Sequence, residues 1–248
     1  MTNICVLGSG GREYAIIKSL AKNNRNQIFC YTNKDNHYLI QYCNFFRGEM
    51  TTDSIYQFCQ KNSIKLVIIG SENLLAAGIA DILESNNIKC VGPTTDFASI
   101  ETNKYFARRF LINKFTSYNP YFIAIDNKNI LSNDIHYILT NFGKPYVIKP
   151  TGLYGGKGVK IYGEHIFSHD DAVKYIREIL ENNQQVLIEE RLFGEEFSFI
   201  TFTDGNTCLD CPPIQDFKRL YNNNEGPNTG SMGCYSLYDH EALCHNLP

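Results

Sequence analysis

A glycine-rich segment with one lysine lies near the middle of the chain. Residues 152–159 read GLYGGKGV, with four glycines around Lys157. Glycine carries no side chain, so such a backbone approaches a ligand closely, and its amide groups suit a phosphate chain. The segment differs from the nucleoside triphosphate loop GxxxxGK[ST], because Thr151 stands at the first glycine and Gly158 at the hydroxyl residue. The sequence therefore predicts a phosphate-binding loop of another class.

Two further features point to an anionic ligand. Lys149 ends the apolar run before the glycine loop, so two lysines are expected near one phosphate chain. A second glycine turn, LGSGGRE at 7–13, leads from a strand into a helix, where unpaired amides favour an anion. It half-matches the dinucleotide pattern GxGxxG, but Glu13 replaces the third glycine, and Asp35 is the one acid near the required spacing. A dinucleotide, another phosphate ligand and a purely structural turn remain the alternatives here.

A charged cluster followed by turn-forming residues occupies 215–233, QDFKRLYNNNEGPNTGSMG. Asp216, Lys218 and Arg219 form the cluster, and the segment GPNTGSMG after it has glycine or proline at four of eight positions. Such a composition disfavours regular secondary structure. We expect a substrate-binding loop without regular structure, and a flexible surface loop is the alternative.

The composition is that of an ordinary globular protein, with 248 residues, 43% hydrophobic and 20% charged. A net charge of -3 gives no basic surface for nucleic acid, which is therefore not an expected partner. No segment resembles a signal peptide or a membrane span, so we expect a cytoplasmic protein without membrane contact. Nine cysteines suit reduced, buried thiols, and Cys208 and Cys211, one isolated CxxC, are interpreted as strand residues.

The pattern of apolar runs predicts two domains. Strand-sized runs ICVL, QIFCY, KLVII and KCVG alternate with amphipathic segments, of which LLAAGIADILES at 74–85 is the last. This alternation is typical of an α/β fold with an open, doubly wound parallel sheet in three layers. We place this domain at 1–102, with Thr94 as an N-cap and Lys104 on the next helix. An α+β domain at 103–248 follows, with strands on both sides of the glycine loop.

Five stretches together resemble one enzyme family, the phosphoribosylamine-glycine ligases, or glycinamide ribonucleotide synthetases, of the ATP-grasp superfamily. They are VLGSGGREYAI, GPTTDFASIETNK, VIKPTGLYGGKGV, VLIEERLFGEEFSFI and QDFKRLYNNNEGPNTGSMGCYS. The resemblance implies a pre-ATP-grasp domain followed by an incomplete ATP-grasp domain. It also implies the ligation of glycine to 5-phosphoribosylamine with ATP, through glycyl phosphate, in purine biosynthesis.

The resemblance implies a role for each matching residue. Lys104 and Lys149 would contact the ATP phosphates, and Lys157, Lys218 and Arg219 are the candidate catalytic residues. The remaining ATP-binding candidates are a phosphate flap at Gly155, Gly156, Lys157 and Gly158, an adenine hinge at Glu189, Glu190 and Leu192, and a ribose acceptor at Glu196. The substrate-binding candidates are Gly8, Gly10, Gly11, Arg12, Glu72, Asn228, Thr229 and Gly230.

The chain departs from the family in three places. A Pro-Gly-Asn loop and a Pro-Glu-x-Pro-Leu turn are replaced by YTNKDNHYLI and SENLL, and the flap reads PTGLYGGKGV instead of ADGLAAGKGV. Third, the family continues beyond residue 248 through the rest of the ATP-grasp lobe, which contains its Mg²⁺ ligands. We therefore expect ATP and Mg²⁺ as cofactors, with the metal ligands outside this chain. A fragment, a split enzyme completed by a separate chain, and a non-catalytic remnant that binds ATP or ribose phosphate remain alternatives.

Overall fold

A five-stranded parallel sheet forms the N-terminal part of the computed structural model, which describes residues 1–143, 145–152, 158–182 and 184–236. Its strands lie in the order β3-β2-β1-β4-β5 and all neighbours pair in parallel. The strands are β1 (Thr2–Leu7), β2 (Asn26–Thr32), β3 (Asn44–Arg47), β4 (Leu66–Ile69) and β5 (Lys89–Val91). The helices between them are α1 (Gly11–Leu20), a 3₁₀ helix (His37–Leu39), α2 (Thr52–Lys61), α3 (Glu72–Ala76) and α4 (Ile79–Ser85).

The parallel sheet has a hydrophobic core on each face, which confirms the predicted three layers. Successive strand side chains point to opposite faces. Cys5 and Leu7 therefore pack with Ile55 and Leu83 of the helices α2 and α4. Val6, between them in sequence, packs instead with Ile17 of α1 on the other face. Burial on both faces explains why the strands read as continuous apolar runs.

Two details of this sheet differ from the sequence prediction. The strand β3 was not predicted, because its two apolar residues, Phe45 and Phe46, lie between polar ones at an exposed edge. The ring of Phe46 stacks on Phe29 with centroids 6.1 Å apart, which holds the edge strand to β2. The single helix predicted at 74–85 is wrong, because Gly78 adopts φ +78° and separates α3 from α4.

Two helices connect the parallel sheet to a second sheet. They are α5 (Thr95–Thr102) and α6 (Lys104–Lys114), followed by a 3₁₀ turn at Thr116–Tyr118. Thr94 is the N-cap of α5 by its backbone position, as predicted, although its side chain makes no capping hydrogen bond. Asn103 caps α6, since its Oδ1 accepts a hydrogen bond from the Phe106 amide at 3.0 Å. This cap fixes the point at which Lys104 begins the helix.

The second sheet is antiparallel, with the order β6-β9-β7-β8. Its core lies on one face, where Ile148 and Ile188 of the sheet pack against Ile135 and Ile176. These two residues belong to the helices Ser132–Asn141 and His169–Glu181. The elements are β6 (Phe122–Ile125), α7 (Ser132–Asn141), β7 (Tyr146–Pro150), β8 (Lys160–Ile161), α8 (His169–Glu181) and β9 (Val186–Glu190). The strands predicted on both sides of the glycine loop are confirmed, as β7 and β8.

Three two-stranded antiparallel pairs follow the second sheet. Regular structure is therefore present where we predicted none, because Glu225–Asn228 is a strand that pairs with Arg219–Tyr221 and Cys234–Ser236 is another. Cys208 lies in a strand, and Cys211 follows that strand directly. The elements are β10 (Thr201–Thr203), β11 (Cys208–Asp210), β12 (Ile214–Asp216), β13 (Arg219–Tyr221), a 3₁₀ turn (Asn222–Asn224), β14 (Glu225–Asn228) and β15 (Cys234–Ser236).

No helix in the described part of the chain is both long and apolar enough to cross a membrane. All eight cysteines in the described ranges are free thiols.

We predict that Gly78→Ala destabilises the fold. Its φ of +78° is strained for an L-residue, and an added Cβ would approach Thr95 Oγ1 to 3.1 Å. The expected loss in free energy of unfolding is about 1–2 kcal/mol, measured by urea unfolding. Gly230→Ala is the control, because a Cβ there meets nothing within 4 Å. Equal stability of the two variants would contradict the role assigned to Gly78.

Candidate functional site

The glycine turn after β1 lies at the point where the strand order of the parallel sheet reverses. The strands β2 and β4 flank β1, so the carboxyl ends of β1 and β4 form a crevice of the kind that binds ligands in such sheets. Arg12 spans this crevice, since its guanidinium donates to the Gly70 carbonyl at the end of β4. Glu72 Oε2 lies 3.9 Å from Arg12 Nη1. The fold thus brings the N-terminal substrate candidates together.

The carboxylate of Glu13 fills the space inside this glycine turn. Glu13 is only 8% exposed, and its Oε2 accepts a hydrogen bond from the Gly10 amide at 2.6 Å. A Cβ at Gly70 would lie 2.0 Å from Glu13 Oε1, and one at Gly10 would lie 2.9 Å from Oε2. These glycines therefore make room for a protein carboxylate, which supplies negative charge at the start of α1. An added anion at this edge would meet Gly11 and Arg12 instead of the Gly10 amide.

Two lysines converge where the glycine loop begins. Lys149 lies on β7, and Lys104 begins α6 with its amide donating to the Thr151 carbonyl at 2.9 Å. The Lys104 side chain donates to the carbonyl of Gly152. Burial lowers the pKa of Lys104, and the charge of Lys149 lowers it further. Two cations thus lie at the start of the loop, and their mutual repulsion favours an anion between them. Lys157, which the sequence analysis pairs with Lys149, lies outside the described residues.

A buried carboxylate lies beside these lysines. Glu189 on β9 is 1% exposed and accepts hydrogen bonds from Lys149 Nζ and from Arg108 on α6. The Arg108 contact is bidentate, with Nε–Oε1 at 2.7 Å and Nη2–Oε2 at 3.2 Å. Burial would raise the pKa of Glu189, but the Arg108 hydrogen bond and the Lys149 charge outweigh it and lower the pKa. Glu189 is therefore ionised at neutral pH.

The pairing register explains why these side chains share one face. In the antiparallel ladder Val147 lies opposite Glu189 and Lys149 lies opposite Leu187, so Lys149 and Glu189 point to the same side. The helices α7 and α8 cover the other side. On the Lys149 face, Leu187 and Glu189 are buried beside α6, whereas the Lys149 side chain is 22% exposed.

Arg108 is a site residue that the sequence analysis missed. It lies 81 positions before its partner Glu189, so no local pattern links the two. The helical spacing could have indicated Arg108, because it is four residues from Lys104 and the two therefore lie on one face of α6.

The other two residues of the candidate adenine hinge, Glu190 and Leu192, lie directly after Glu189. Glu190 ends β9, and its amide donates to the Tyr121 carbonyl at 2.8 Å while its Oε2 accepts from the Tyr121 amide at 3.3 Å. Its carboxylate therefore points away from Glu189. Leu192 is 69% exposed and follows the strand. The chain therefore leaves β9 with Glu190 bonded to Tyr121 and with Leu192 exposed to solvent.

A cleft of about 390 Å³ lies around Lys218. Lys218 Nζ is 3.3 Å from Asp216 Oδ1 and 3.5 Å from Glu196 Oε2. Burial would lower the pKa of Lys218, but the Asp216 hydrogen bond and the Glu196 charge outweigh it and raise the pKa. The other residues that line this cleft are Glu195, Phe197 and Ser198.

Arg219, the next residue, has different partners from Lys218. Its Nη2 lies 3.1 Å from Glu164 Oε2, and its Nη1 donates to the Gly226 carbonyl at 2.7 Å. Asn228 pairs with Arg219 across β13 and β14, and the amide of Thr229 donates to the Lys218 carbonyl at 2.6 Å. The structure therefore brings Lys218 to the cleft with Glu196, and it directs Arg219 to Glu164. Gly230 is exposed after this pair of strands.

Three flap candidates, Gly155, Gly156 and Lys157, lie outside the described residues. Gly158 is buried, and its carbonyl accepts a hydrogen bond from the Tyr175 hydroxyl at 2.9 Å. The end of the flap is therefore fixed to α8.

The parallel sheet, the antiparallel sheet with helices on one face and the converging lysines define a protein of the ATP-grasp class. The sequence profile of the phosphoribosylglycinamide synthetase N domain matches residues 2–101. The profile for the ATP-grasp (A) domain of the same synthetase matches residues 102–245. The chain belongs to the phosphoribosylglycinamide synthetase family.

Individual relatives agree with this assignment. Phosphoribosylamine–glycine ligase of Methanocella arvoryzae is 39% identical over 236 residues, covering 94% of this chain and 53% of that protein. The ligase of Methanosphaera stadtmanae is 38% identical over 244 residues, covering 96% and 54%. The chain thus spans about half the length of these relatives.

Solved structures share the fold. The crystal structure of phosphoribosylamine–glycine ligase from Thermotoga maritima matches with a TM-score of 0.73 and 26% identity, covering 94% of this chain and 55% of that one. An N5-carboxyaminoimidazole synthetase from Staphylococcus aureus, complexed with ADP, matches with a TM-score of 0.68 at 15% identity, covering 88% and 55%. These matches confirm the predicted fold class.

We predict that Arg108→Met destabilises the chain by about 2 kcal/mol at neutral pH, because it removes a bidentate partner from the buried Glu189 carboxylate. The lowered pKa of Glu189 means that this contribution is full above 4.5, the ordinary glutamate pKa, and is lost as the pH falls through the lowered value. Urea unfolding near neutral pH and at about pH 3 measures both effects.

The matched control is Arg109→Met, since Arg109 is exposed on the same helix. The ion pair would be contradicted if Arg108→Met lost no more free energy of unfolding than Arg109→Met. It would also be contradicted if the loss in Arg108→Met were as large in acid as at neutral pH.

Proposed function

We propose that this chain carries the nucleotide-binding part of a phosphoribosylamine–glycine ligase. In this reaction ATP, glycine and 5-phosphoribosylamine give ADP, phosphate and glycinamide ribonucleotide, a step of purine biosynthesis. Membership of the family and the names of relatives such as the Methanocella arvoryzae ligase support this activity.

The observation that carries the proposal is the convergence of Lys104 and Lys149 at the glycine loop. With Arg108 and Glu189 they form a group of three cations and one carboxylate, which has excess positive charge. A triphosphate at this position would separate the two lysines and replace the repulsion between them with attraction. We propose that both lysines bind ATP phosphates and that the flap of Gly155, Gly156, Lys157 and Gly158, held at its Gly158 end by α8, closes over them.

The strand end beside these lysines suits the rest of a nucleotide. An adenine edge needs a hydrogen-bond donor and an acceptor side by side. We propose that Glu189 and Glu190, with the backbone at Leu192, meet adenine. Glu196, at the cleft around Lys218, would accept from the ribose hydroxyls. For Glu189 to do so, its contact with Lys149 must loosen when that lysine turns to the phosphates.

The chemistry requires positioning more than a nucleophilic side chain. A glycine carboxylate oxygen attacks the γ-phosphorus of ATP, which forms glycyl phosphate and releases ADP. The amine of phosphoribosylamine then attacks the glycyl carbonyl carbon, phosphate leaves, and the amine loses a proton. Charge neutralisation and orientation supply most of the catalysis in such steps. We propose that Lys157, Lys218 and Arg219 supply this charge.

We propose that the second substrate meets residues from both parts of the chain. Asn228, Thr229 and Gly230 lie after the Lys218 cleft and would bind ribose phosphate. The N-terminal candidates around Arg12 and Glu72 would form the other edge, with Gly8, Gly10 and Gly11 as the turn. The division into domains of residues 1–102 and 103–248 is part of this proposal.

Magnesium does not fit the residues that the structure describes. Across the described ranges, no group of three or more His, Cys, Asp or Glu side chains could hold a metal ion. The family reaction uses Mg²⁺ with ATP, so we propose that its ligands lie outside these residues.

An exposed apolar surface supports completion by a further lobe. Phe199, Phe202 and Leu209, on and beside β10 and β11, are 52%, 55% and 70% exposed. Apolar clusters of this kind mark interaction surfaces. We propose that a further lobe, in the same polypeptide or a separate chain, covers them, and that the protein acts in the cytoplasm. The second candidate is a non-catalytic protein that binds ATP or ribose phosphate.

Calorimetric titration with ATP tests the nucleotide site. We predict that Lys149→Met and Lys104→Met each weaken ATP binding to the 248-residue chain by about tenfold or more, because each removes a charge-assisted contact to phosphate. Lys174→Met, an exposed change on α8, is the control and is expected to bind as the unmodified chain does.

ADP formation separates the two candidate functions. Release of ADP that requires both glycine and phosphoribosylamine supports the ligase, and ATP binding without release supports the non-catalytic protein. The proposed nucleotide site would be refuted if Lys149→Met and Lys104→Met bound ATP with the same affinity as the control Lys174→Met and the unmodified chain.

A further inference from the structure

A single carboxylate, that of Glu164, bridges two arginines that the proposed mechanism does not otherwise connect. Glu164 Oε1 accepts from Arg191, and Oε2 lies 3.1 Å from Arg219 Nη2. All three side chains are one third exposed or less. Partial burial would raise the pKa of Glu164, but the Arg219 hydrogen bond and the Arg191 charge outweigh it and lower the pKa. The bridge therefore contains an ionised carboxylate at neutral pH.

The turn that carries Glu164 is rigidly held. It follows β8, the strand directly after the glycine loop, and the amides of His165 and Ile166 both donate to the Ile161 carbonyl, at 2.9 and 3.3 Å. Gly163 adopts φ +88° within this turn. Ile166 is 2% exposed and packs in the core of the second sheet. The Glu164 carboxylate is thus a fixed point relative to that sheet.

Each arginine also has contacts besides Glu164. The Arg191 amide donates to the Pro145 carbonyl at 2.8 Å, and its guanidinium lies 4.7 Å from the centre of the Phe193 ring. Arg219 donates to the Gly226 carbonyl across the β13–β14 pair. A contact between Glu164 and Arg219 therefore fixes β13 and β14 relative to the sheet that carries Lys149.

We propose that Glu164 is a positioning residue, which sets the place of Arg219 and of the β13–β14 pair and so aligns the substrate segment with the nucleotide cleft. The inference rests on the proposed function for its ligand, a sugar phosphate that Arg219 and Thr229 would bind. Glu164 itself does not touch the ligand. It acts by holding Arg219, because a carboxylate shared by two guanidiniums fixes both in direction.

Hydrogen exchange measures the positioning without any ligand. The amides of Thr229 and Met232 donate to the carbonyls of Lys218 and Phe217, so they report whether the segment around β13 and β14 stays paired, which Glu164 supports by holding Arg219. In the full chain with Glu164→Gln we expect both amides to exchange about tenfold faster. Glu164→Asp keeps the charge and is expected to recover part of this protection. Glu178→Gln, an exposed change on α8, is the control.

Calorimetric titration with ribose 5-phosphate measures the consequence for binding. Glu164→Gln is expected to weaken it about tenfold, with ATP affinity within about twofold of the unmodified chain. A general loss of stability would lower the two affinities together. Tighter ribose 5-phosphate binding would mean that Glu164 competes with the anion and would overturn the proposal, as would unchanged binding.

The exchange experiment decides the inference even if the proposed function fails. If the unmodified chain binds neither ATP nor ribose 5-phosphate, the proposed function is wrong, and faster exchange at Thr229 and Met232 in Glu164→Gln still supports the positioning contact. Unchanged exchange at both amides would overturn it whatever the ligand results.

Discussion

The carboxylate of Glu189, on the antiparallel sheet, lies between the cations of Arg108 and Lys149, and only 1% of the residue is exposed. A buried charge is costly unless it is paired and hydrogen-bonded, so Arg108 and Lys149 must both lie within reach of it. Arg108 is on α6, and this requirement fixes α6 against the Glu189 face of the sheet. The connecting helix is therefore positioned by an ion pair at the site itself.

The same helix positions the first phosphate candidate. Lys104 begins α6, four residues before Arg108, and its amide and side chain both contact the start of the glycine loop. One helix thus carries a cation for the ligand and a partner for the carboxylate. Lys149 has contacts in both directions, because it pairs with Glu189 and lowers the pKa of Lys104. Any ligand that draws Lys149 away changes the charge balance around Glu189, which Arg108 then holds alone.

Local patterns in the sequence predicted the parallel sheet apart from its edge strand β3, and they predicted the strands on both sides of the glycine loop. Buried parallel strands read as apolar runs, and the glycine loop with Lys149 follows from the residues around it. The edge strand β3 was missed because its Phe46 packs on Phe29 through a ring contact that hydrophobic periodicity and composition do not reveal. The short pair β13–β14 was missed because the pairing of Arg219 with Asn228 and the Arg219 hydrogen bond to Gly226 override its turn-forming composition.

Long-range pairs explain what the sequence could not provide at the site. Arg108 meets Glu189 across 81 positions, and Arg219 meets Glu164 across 55. Lys218 and Arg219 are adjacent in sequence, yet Lys218 pairs with Asp216 and Glu196 whereas Arg219 pairs with Glu164. A sequence motif that treats the two residues as one unit does not predict this difference. The roles assigned to the individual candidates by resemblance remain predictions.

The most direct test of the nucleotide site is a pH titration of Lys104. NMR of the labelled Lys104 side chain measures its pKa with and without saturating ATP. In the free chain its pKa is expected below the ordinary 10.5, because burial and the charge of Lys149 oppose protonation. With ATP bound, phosphate beside Lys104 should raise that pKa. An unchanged pKa at saturation would mean that ATP phosphates do not lie between Lys104 and Lys149, and would contradict the account.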